Sequence, residues 1–450
     1  MSNATEPISP PIAACAQRRA QLIARMNAAG GGVALIPTAP EVARNRDSHY
    51  PYRFDSYFHY LSGFGEPEAA MVLVAGAQPR SILFCREKNE EREIWDGYRY
   101  GPEAAAQAFG FDEAWTIGEL ERRLPELLAD QPVFWYSLGN DDAWDERALN
   151  ALNTVRNRAR AGVVPPHSIR DVRAELDEMR LLKDETELTL MRRAAAISAR
   201  AHVRAMQLTR PGRHEYEIEA ELLHTFRKAG SQAPAYTSIV ASGPNACVLH
   251  YVDNNRRMCD GDLLLIDAGC ELDGYASDIT RTFPVNGRFS AAQRDIYELV
   301  LSAQQAARES IRPGASWNDA HEAAVHTLAA GLIDLGLLKG SLEAVLEQES
   351  YKRFYMHRTG HWLGRDVHDA GEYKLDGAWR TLAPGMVLTV EPGCYIRPAD
   401  DVPEAFWNIG VRIEDDAVVT ETGCEFITDG VPRTVAAIEE LMRGEHHAGD

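Results

Sequence analysis

The sequence lacks any apolar run long enough to cross a bilayer. Runs such as LLLI at 263–266 fall far short of the roughly 20 residues that a membrane helix needs. The amino-terminal stretch has no basic region followed by an apolar one, so we expect no secretory signal. Positive charge is in deficit, since 47 Lys and Arg stand against 67 Asp and Glu, for a net charge of −20. Because phosphate binding needs clustered basic residues, these absences argue against membranes and nucleic acids as partners.

Cysteine is scarce, and no two cysteines form a CxxC pair. The seven cysteines are scattered along the chain: Cys15, Cys85, Cys247, Cys259, Cys270, Cys394 and Cys424. This pattern is typical of reduced residues in a cytoplasmic protein and argues against a disulfide framework or a zinc knuckle. With an apolar fraction of 45% over 450 residues, the chain is expected to form a globular protein of two or three domains.

The domain organisation follows from a change of pattern near AGVVPPHSI, whose two prolines interrupt any regular element. Before it, β-rich runs such as GGVALIP and RSILFC alternate with helical stretches such as ERRLPELLAD, which is typical of an α/β domain. After it, apolar residues at helical spacing predict one long helix from Asp171 to just before Pro211. The sequence therefore predicts an amino-terminal α/β domain, a second domain and a disordered tail, at 1–172, 173–442 and 443–450.

The second domain contains a faint internal repeat. A helix, the tripeptide RPG at 210–212 and a helix ending near Gly230 recur as a helix, RPG at 312–314 and a helix ending near Gly331. Strand-like segments follow each copy: TSIVAS, DLLLIDAG and SDITRTFPV, then MVLTVEPG, GVRIED and AVVTE. Two αα-then-β halves indicate a duplicated α+β unit, although RPG alone is a common helix-ending tripeptide.

The most informative segment is DLLLIDAGCELDGYASDITRTFPV, two strand-like runs around Asp273-Gly274, a pair that favours a tight hairpin turn. With those residues in the turn, Asp267 faces Thr280, and Asp278 lies about 7–8 Å away diagonally on the same face. Two carboxylates in one space are costly to bury unless positive charge compensates them, as a metal cation does. From the hairpin alone, two aspartates at a solvated edge are an equally good interpretation.

The second half of this domain carries two further carboxylates at strand ends. Glu391 follows the strand-like MVLTV, and Glu414 in GVRIEDD shares a face with Arg412 at i and i+2. Upstream, MHRTGHWLGRDVHD holds three histidines within twelve positions: His357, His361 and His368. An isolated histidine is usually structural, but three near such glutamates indicate a metal site. Four carboxylates and one imidazole suit Mn²⁺ or a similar divalent ion, and bridging carboxylates can hold two ions.

At this level of detail the chain resembles a known family, the pita-bread metallopeptidases. Five segments carry the resemblance in matching order and spacing: LLIDAG, SDITRTFP, HWLG, TVEPG and RIEDD. Bacterial Xaa-Pro aminopeptidases (aminopeptidase P) also have segments similar to APEVARNRDSHYPYRFDSYFHYLSGFGEPEA and REIWDGYRYGPEAA, so the resemblance spans about residues 16–442. It implies an α/β amino-terminal domain followed by an α+β pita-bread catalytic domain with internal pseudo-two-fold duplication.

The resemblance also implies a role for each motif residue. Asp267 would bind one metal ion, and Asp278 and Glu414 would bridge two ions. His361 and Glu391 would complete the second ion's ligands. A hydroxide held between two ions, Mn²⁺ or else Co²⁺ or Zn²⁺, would attack the scissile carbonyl. Glu391 would shuttle the proton from the nucleophile to the leaving group.

Further catalytic and substrate-binding roles are implied around the ligands. His250 would line the substrate site, and His357 and His368 would contact the substrate around the scissile bond. Arg412 and Tyr395 would orient the ligand carboxylates without binding metal directly.

Three other residues lie outside the five ligand motifs. Trp95 matches a tryptophan that reaches a neighbouring subunit's substrate site in tetrameric relatives, although an ordinary interface or core aromatic fits as well. Arg358 stands where other members have a smaller or apolar residue. Arg380 is a candidate for holding the downstream end of the peptide, but it does not align cleanly.

The expected function is that of a cytoplasmic aminopeptidase, tetrameric or dimeric, that removes an amino-terminal residue preceding proline. Proline matters because its tertiary amide lacks an N–H and fixes φ, which general peptidases do not accommodate. The nearest alternative is prolidase, a dipeptidase with the same metal site, but the Trp95 segment favours the aminopeptidase. A non-catalytic pita-bread domain that binds peptides or histones is the other alternative; such domains typically lose ligands, whereas all five are present in this chain.

Overall fold

The computed structural model describes residues 12–444, and the greater part of the predicted tail, 445–450, lies outside the described residues. The chain forms two compact units that divide between Met179 and Arg180. Within the described range, no helix combines the length and apolar character that a membrane crossing requires.

The first unit is an α/β domain built on one mixed sheet. Its elements are α1 (Ile12–Ala28), β1 (Gly32–Pro37), α2 (Ser56–Ser62), β2 (Ala70–Ala75), β3 (Arg80–Cys85), α3 (Glu90–Asp96), α4 (Pro102–Phe109), β4 (Glu113–Thr116), α5 (Leu120–Leu128), β5 (Val133–Trp135), α6 (Asp142–Arg156), β6 (Ser168–Arg170) and α7 (Arg173–Leu181). In the strand order β4-β3-β2-β1-β5-β6, β2 is antiparallel to both neighbours and the other pairs are parallel. Alternate residues of β1 face opposite cores: Val33 packs with α5 and α6, whereas Ala34 packs with α1, α2 and α4. The predicted α/β class is confirmed.

The second unit is an α+β domain. Its elements are α8 (Glu185–Leu208), α9 (Glu215–Lys228), β7 (Ala233–Pro234), β8 (Ile239–Ser242), β9 (Leu263–Asp267), β10 (Cys270–Leu272), β11 (Tyr275–Ala276), β12 (Thr280–Pro284), α10 (Ala291–Ser310), α11 (Asp319–Asp334), α12 (Leu342–Glu347), β13 (Lys374–Leu375), β14 (Ala378–Trp379), β15 (Val387–Val390), β16 (Gly393–Ile396), β17 (Ile409–Arg412), β18 (Asp415–Val419), β19 (Cys424–Phe426) and α13 (Val435–Arg443). The helix pairs α8–α9 and α10–α11 each precede a set of antiparallel strands. The predicted duplication of an αα-then-β unit is therefore confirmed.

The single helix predicted after Asp171 is wrong, because two helices occupy that stretch. The first, α7, ends at Leu181, and α8 begins at Glu185. Asp184 caps α8 through a capping box: its carboxylate accepts backbone N–H bonds, while the Glu187 carboxylate accepts from the Asp184 N–H. This start signal interrupts an apolar pattern that otherwise continues.

The division between the units lies later than the predicted boundary at 172/173. Leu176 and Met179 of α7 are buried in the core of the first unit. The helix that follows the proline loop therefore packs mostly with the amino-terminal sheet, which the proline break alone did not indicate.

The helix predicted to end near Gly331 continues to Asp334. A Cβ on this glycine would lie 2.2 Å from Leu299 Cδ1 of α10. Glycine at this position lets α10 and α11 approach closely and does not end the helix.

The hairpin around Asp273-Gly274 has the predicted register, with Asp267 paired to Thr280. The φ angles of the two turn residues are 51° and 78°, the left-handed values that a type I′ turn needs. The hairpin is interrupted, however, because its tip and its base belong to different sheets. Strands β10 and β11 form one sheet in which β10 also pairs with β7, whereas β9 and β12 form another in which β9 also pairs with β8. The interruption lies beside Gly269, where an added Cβ would collide with a backbone carbonyl of the opposite segment.

Candidate metal centre

The predicted metal donors line one cavity of the second unit. This cavity has a volume of about 940 Å³, and its walls include the five donors Asp267, Asp278, His361, Glu391 and Glu414. The ligand atoms of Asp278, His361 and Glu414 lie within 4.8 Å of one another, close enough to share an ion. Strand ends bring the carboxylates together, since each carboxylate lies within two residues of an end of β9, β12, β15 or β17.

The two hairpin aspartates point into one space, as predicted. Asp267 ends β9, and the Tyr236 hydroxyl lies 2.6 Å from its Oδ1 and 2.5 Å from Oδ1 of Asp278. A hydroxyl carries a single proton, so Tyr236 donates to one of the two carboxylates at a time. Arg412 Nη2 donates to Asp267 Oδ2 at 2.5 Å. The pair is therefore tied together by a tyrosine and held by one guanidinium.

His361 is fixed by the strand that precedes Glu391. Its backbone N–H donates to Thr389 Oγ1, and its backbone carbonyl accepts from the Thr389 N–H. Its Nδ1 lies 2.9 Å from the carbonyl of Trp362, and because a carbonyl only accepts, Nδ1 carries the proton. The Nε2 atom lies 3.5 Å from Asp278 Oδ2 and 3.7 Å from Glu391 Oε1, and in the neutral form of the ring it carries the lone pair that could bind a metal ion. A backbone carbonyl that fixes the tautomer in this way is typical of a metal-binding histidine.

Glu414 lies between β17 and β18 and forms an isolated bridge with Thr280. The Thr280 hydroxyl donates to Glu414 Oε2 at 2.6 Å and accepts from Arg412 Nε at 3.2 Å. The strand is interrupted at Ile413, yet Arg412 and Glu414 both line the cavity, as the i, i+2 spacing predicts.

Burial perturbs the acidity of the clustered carboxylates. It raises the pKa of Glu391 to about 7, and attraction to His361 and Arg412 only partly offsets this. Burial likewise raises the pKa of Asp267, and it raises the pKa of Glu414 well above its usual range, with repulsion from neighbouring carboxylates adding to both. These shifts report more negative charge than the surrounding side chains compensate.

The pKa values of Asp278 and His361 shift so as to favour the charged form of each side chain. Burial favours the neutral forms, but mutual attraction outweighs it, so the pKa of Asp278 is lowered and the pKa of His361 is raised to about 9. The oxygen-rich donor set and its uncompensated charge fit divalent cations, which would bind the deprotonated forms of these side chains.

His357 belongs to a hydrogen-bonded chain that starts at Arg412. Arg412 Nη1 donates to the Tyr395 hydroxyl at 3.1 Å, and that hydroxyl lies 2.8 Å from His357 Nε2. The His357 Nδ1 lies 2.7 Å from the carbonyl of Arg358, so Nδ1 donates and Nε2 accepts from the tyrosine. Burial, with Arg412 adding to it, lowers the pKa of His357 to about 3. The imidazole is therefore neutral and oriented.

The remaining predicted residues lie in different surroundings. His250 and His368 line the same cavity and are exposed; the ring centroid of His368 is 4.2 Å from that of His361. Trp95 is on α3 of the first unit, with 80% of its surface exposed, and is not one of the cavity residues. Arg380 is buried, and its Nε donates to a backbone carbonyl at 2.6 Å. Only the two histidines join the donors.

Sequence reasoning missed three polar residues that contact the donors: Tyr236, Thr389 and Asp416. The buried Asp416 carboxylate accepts the backbone N–H of Asp278 at 3.2 Å, and Thr389 Oγ1 donates to Glu391 Oε1 at 3.3 Å. The run of acidic residues in RIEDD was an available signal for Asp416. Tyr236 and Thr389 carried no such signal, because neither belongs to a run of acidic residues or histidines.

Comparisons with known proteins agree over both units. Residues 189–421 match Metallopeptidase family M24, and residues 15–135 match Aminopeptidase P, N-terminal domain. The Xaa-Pro aminopeptidase of Escherichia coli is 45% identical over 428 residues, 95% of this chain and 96% of the relative. That of Haemophilus influenzae is 46% identical over 427 residues, again 95% and 96%.

Solved structures give the same result. The aminopeptidase PepP of Pseudomonas aeruginosa superposes with a TM-score of 0.95 at 52% identity, covering 97% of this chain and 98% of that chain. Zinc-substituted Escherichia coli aminopeptidase P in complex with product has a TM-score of 0.93 at 44% identity, covering 96% and 98%. The resemblance seen in the motifs is confirmed, and the chain belongs to metallopeptidase family M24.

Proposed function

We propose that the chain is a metal-dependent aminopeptidase that hydrolyses the bond between an amino-terminal residue and a following proline. The observation that carries this proposal is the convergence of four carboxylates and one imidazole, far apart in the sequence, on one cavity. The substrate class is supported by relatives named Xaa-Pro aminopeptidase that align over nearly the whole chain.

Asp267, Asp278, His361, Glu391 and Glu414 would hold two divalent ions, with Mn²⁺ the first choice and Co²⁺ or Zn²⁺ possible. The oxygen-rich donor set supports Mn²⁺, while the zinc-substituted relative supports tolerance of other divalent ions. When bound, such ions would supply Lewis-acid chemistry: they would activate water as the hydroxide nucleophile that the resemblance implies, and they would polarise the scissile carbonyl.

Glu391 is the residue that we assign to proton transfer. It lines the cavity beside the other donors, and a carboxylate at this position can accept a proton and then release it. The Thr389 hydroxyl orients one of its oxygens. Glu391 would accept a proton from the attacking water and deliver it to the proline nitrogen as the C–N bond breaks. The remaining peptide then leaves, with the neutral secondary amine of proline as its new amino terminus.

The other cavity residues position the substrate and the ligands. Arg412 holds Asp267 directly and holds His357 through Tyr395, so one guanidinium orients both a metal ligand and a histidine. His250, His357 and His368 are proposed to contact the peptide around the scissile bond. Of these, His250 and His368 are exposed at the cavity.

A peptide panel tests the proposal. The Mn²⁺-loaded protein is expected to cleave Ala-Pro-Ala with a kcat/KM at least about tenfold above those of Ala-Ala-Ala and the dipeptide Ala-Pro. Glu391→Gln should remove turnover, whereas Glu425→Gln, at an exposed glutamate of the same unit, should not. Metal content is measured on the same preparations by mass spectrometry, before and after reloading with Mn²⁺, Co²⁺ or Zn²⁺.

Each other outcome points to a different conclusion. Preference for Ala-Pro over Ala-Pro-Ala would identify a prolidase. Protein that neither contains nor rebinds a divalent metal would rule out the enzyme and leave a peptide-binding domain.

We also propose a homo-oligomer, tetrameric or dimeric, located in the cytoplasm. Support for the oligomer comes from α3 and its flank, where Ile94, Trp95 and Tyr98 are 80%, 80% and 63% exposed in the single chain. Support for the cytoplasm comes from the seven cysteines, all of which are free. Light scattering on wild type and Trp95→Ala tests the assembly: a monomeric wild type would refute it.

A further inference from the structure

One wall of the cavity carries two basic side chains beside an aromatic ring. Lys374 and Trp379 are paired across the β13–β14 hairpin, and the ammonium lies 4.3 Å from the centroid of the indole. Arg358 places its guanidinium carbon 4.8 Å from the same ring. All three residues line the cavity that holds the metal donors. Both cations are thus within the distance at which the ring quadrupole attracts positive charge.

These two cations lack the anionic partners that neighbouring basic residues have. Within residues 12–444, no carboxylate oxygen lies within 4.0 Å of the charged nitrogens of Arg358 or Lys374. By contrast, Lys352 and Arg353 of the same segment form ion pairs at 2.5 Å and 2.6 Å with exposed carboxylates. Two unpaired positive charges at the wall of a cavity can therefore attract a negatively charged ligand.

The guanidinium of Arg358 is anchored and still has donors to offer. Its Nη2 donates to Asn318 Oδ1 at 2.5 Å, and the Asn318 amide in turn donates to Glu322 Oε1. A guanidinium has five N–H groups in a planar fork that matches a carboxylate. The asparagine therefore fixes the arginine while leaving most of its donors for a ligand.

The hairpin that carries Lys374 and Trp379 is tied to the metal-binding segment. Arg380 donates through Nε to one backbone carbonyl at its base and through its backbone N–H to the carbonyl of Tyr373. The ring of Tyr373 stacks on Trp362, at 5.6 Å and 4° between planes, and Trp362 directly follows His361. A ligand group bound by the hairpin is thus held at a fixed place relative to the donors.

We propose that Arg358 and Lys374, whose cationic groups both lie against the ring of Trp379, form a subsite that binds a carboxylate of the peptide substrate. The proposal rests on the peptidase function proposed above. Both cations would donate charge-assisted hydrogen bonds to a part of the substrate that is distant from the scissile bond. Peptides that carry a carboxylate there would therefore be better substrates. The carboxylate is either the carboxyl terminus of a short peptide or an acidic side chain beyond the proline.

Two pairs of peptides separate these sources. The first pair is Ala-Pro-Ala with a free carboxyl terminus and the same peptide amidated; the second is Ala-Pro-Glu-amide and Ala-Pro-Gln-amide. Wild type is expected to prefer the anionic member of at least one pair by about three- to tenfold in kcat/KM, mainly through KM. The pair that shows the preference identifies the source of the carboxylate.

Variants of the subsite decide whether these residues cause the preference. In the double variant with Arg358→Gln and Lys374→Gln, the ratio of kcat/KM for the anionic peptide to kcat/KM for the neutral peptide should fall to about one. Arg358→Glu with Lys374→Glu should instead favour Ala-Pro-Lys-amide over its glutamine counterpart. Lys352→Gln and Arg353→Gln, which remove the same charges from the same segment outside the cavity, should keep the wild-type ratio.

Two results would overturn the subsite: equal turnover of both members of both pairs by wild type, or a preference that survives the double glutamine variant. A wild type that cleaves none of the peptides would refute the proposed function instead. In that case calorimetric binding of the anionic and neutral peptides still decides the subsite, because affinity that is equal for both peptides refutes it.

Discussion

Four buried or nearly buried carboxylates and one histidine determine the chemistry of the cavity at the scale of single residues. A buried carboxylate without a counter-charge is costly, and the raised pKa of Glu391 and Glu414 records that cost. Arg412 compensates Asp267, but one guanidinium does not balance the cluster. The site is therefore arranged for cations that come from solution.

Replacing one central donor tests this assignment. Asp278→Ala removes a carboxylate that lies within 4.8 Å of the ligand atoms of both His361 and Glu414. We expect metal affinity and kcat/KM to fall by at least about 100-fold, since loss of even an outer partner of a ligand costs about 10- to 100-fold. Titration of bound metal and steady-state kinetics measure both quantities.

Asp273→Asn is the matched control, because Asp273 sits in the turn of the same hairpin and Asn tolerates its positive φ. It should keep metal affinity and turnover. Near-full activity in Asp278→Ala, with circular dichroism unchanged in both variants, would show that Asp278 is not a ligand.

The residues that the sequence singled out for the site were those whose type is rare in their context. Carboxylates at the ends of apolar strands and three clustered histidines were visible in the sequence, and the structure gathers five of them as donors to one cavity. Tyr236 and Asp416 were not identified, because their contacts with Asp278 join positions 42 and 138 residues apart.

At the scale of elements, the interrupted hairpin controls where the aspartates point. A Cβ at Gly269 would lie 1.7 Å from the backbone carbonyl oxygen of Ser277, which immediately precedes Asp278. Backbone cannot yield as a flexible side chain does, so Gly269→Ala must displace this segment. We expect a loss of about 1–3 kcal/mol in the free energy of unfolding, together with weaker metal binding. Denaturant unfolding and metal titration measure the two effects.

Gly423→Ala serves as the control for this substitution, since nothing lies within 4 Å of a Cβ at that glycine. It should change the unfolding free energy by less than about 0.5 kcal/mol and leave metal binding intact. Equal changes in unfolding free energy and metal binding for Gly269→Ala and Gly423→Ala would contradict the close approach of the backbone at Gly269.

The connection between α7 and α8 contains a buried ion pair that fixes the loop carrying His368. Lys183 Nζ lies 2.9 Å from Asp369 Oδ2, with both side chains 1% exposed, and Arg180 contacts the other oxygen at 2.6 Å. Lys183→Met would leave part of the buried carboxylate charge unpaired and should cost about 3–5 kcal/mol. Thermal unfolding is expected to shift downward by several degrees.

Lys352→Met removes an ion pair whose side chains are 50% and 55% exposed, and it should change stability by less than about 0.5 kcal/mol. If Lys183→Met lowered the free energy of unfolding no more than Lys352→Met does, the buried ion pair would not stabilise the loop that carries His368.

At the scale of the whole molecule, metal occupancy and pH should act together on stability. The pKa of Glu391 is raised from 4.5 to about 7, so its contribution to stability is complete below about 4.5 and is lost as pH rises through 7. The pKa of His361 is raised from 6.5 to about 9, and its contribution is lost as pH rises through 9. The metal-free protein should therefore lose stability between about pH 4.5 and 9.

Added Mn²⁺ binds the deprotonated donors, so it should raise Tm more at pH 8 than at pH 5, by several degrees. Differential scanning fluorimetry with and without a chelator measures the difference. The Asp278→Ala variant should show little metal-dependent shift at either pH. A metal-dependent shift that is the same at both pH values would contradict the assigned titrations.

The sequence by itself determined the elements whose signals are local. The Asp-Gly turn set the register that pairs Asp267 with Thr280, and β-rich runs predicted strands of the first unit. Two predictions from local signals were wrong. The continuous apolar period predicted one helix where a capping box at Asp184 starts a second one. Gly331 was predicted to end a helix, but it lies inside α11, where it leaves room for α10.

Only the tertiary structure decided how the carboxylate surplus of this chain is used. The net charge of −20 argues against nucleic acids as partners. It does not identify the acidic residues that face a cavity, because solvated and buried carboxylates contribute equally to the composition. Strands β9 and β12, β15, and β17 belong to three separate sheets, and the fold brings these sheets together so that four of the 67 acidic residues surround one space. The same folding brings Arg358 and Lys374, 16 positions apart, to one indole ring. These contacts depend on distances in space that no local pattern of residues encodes.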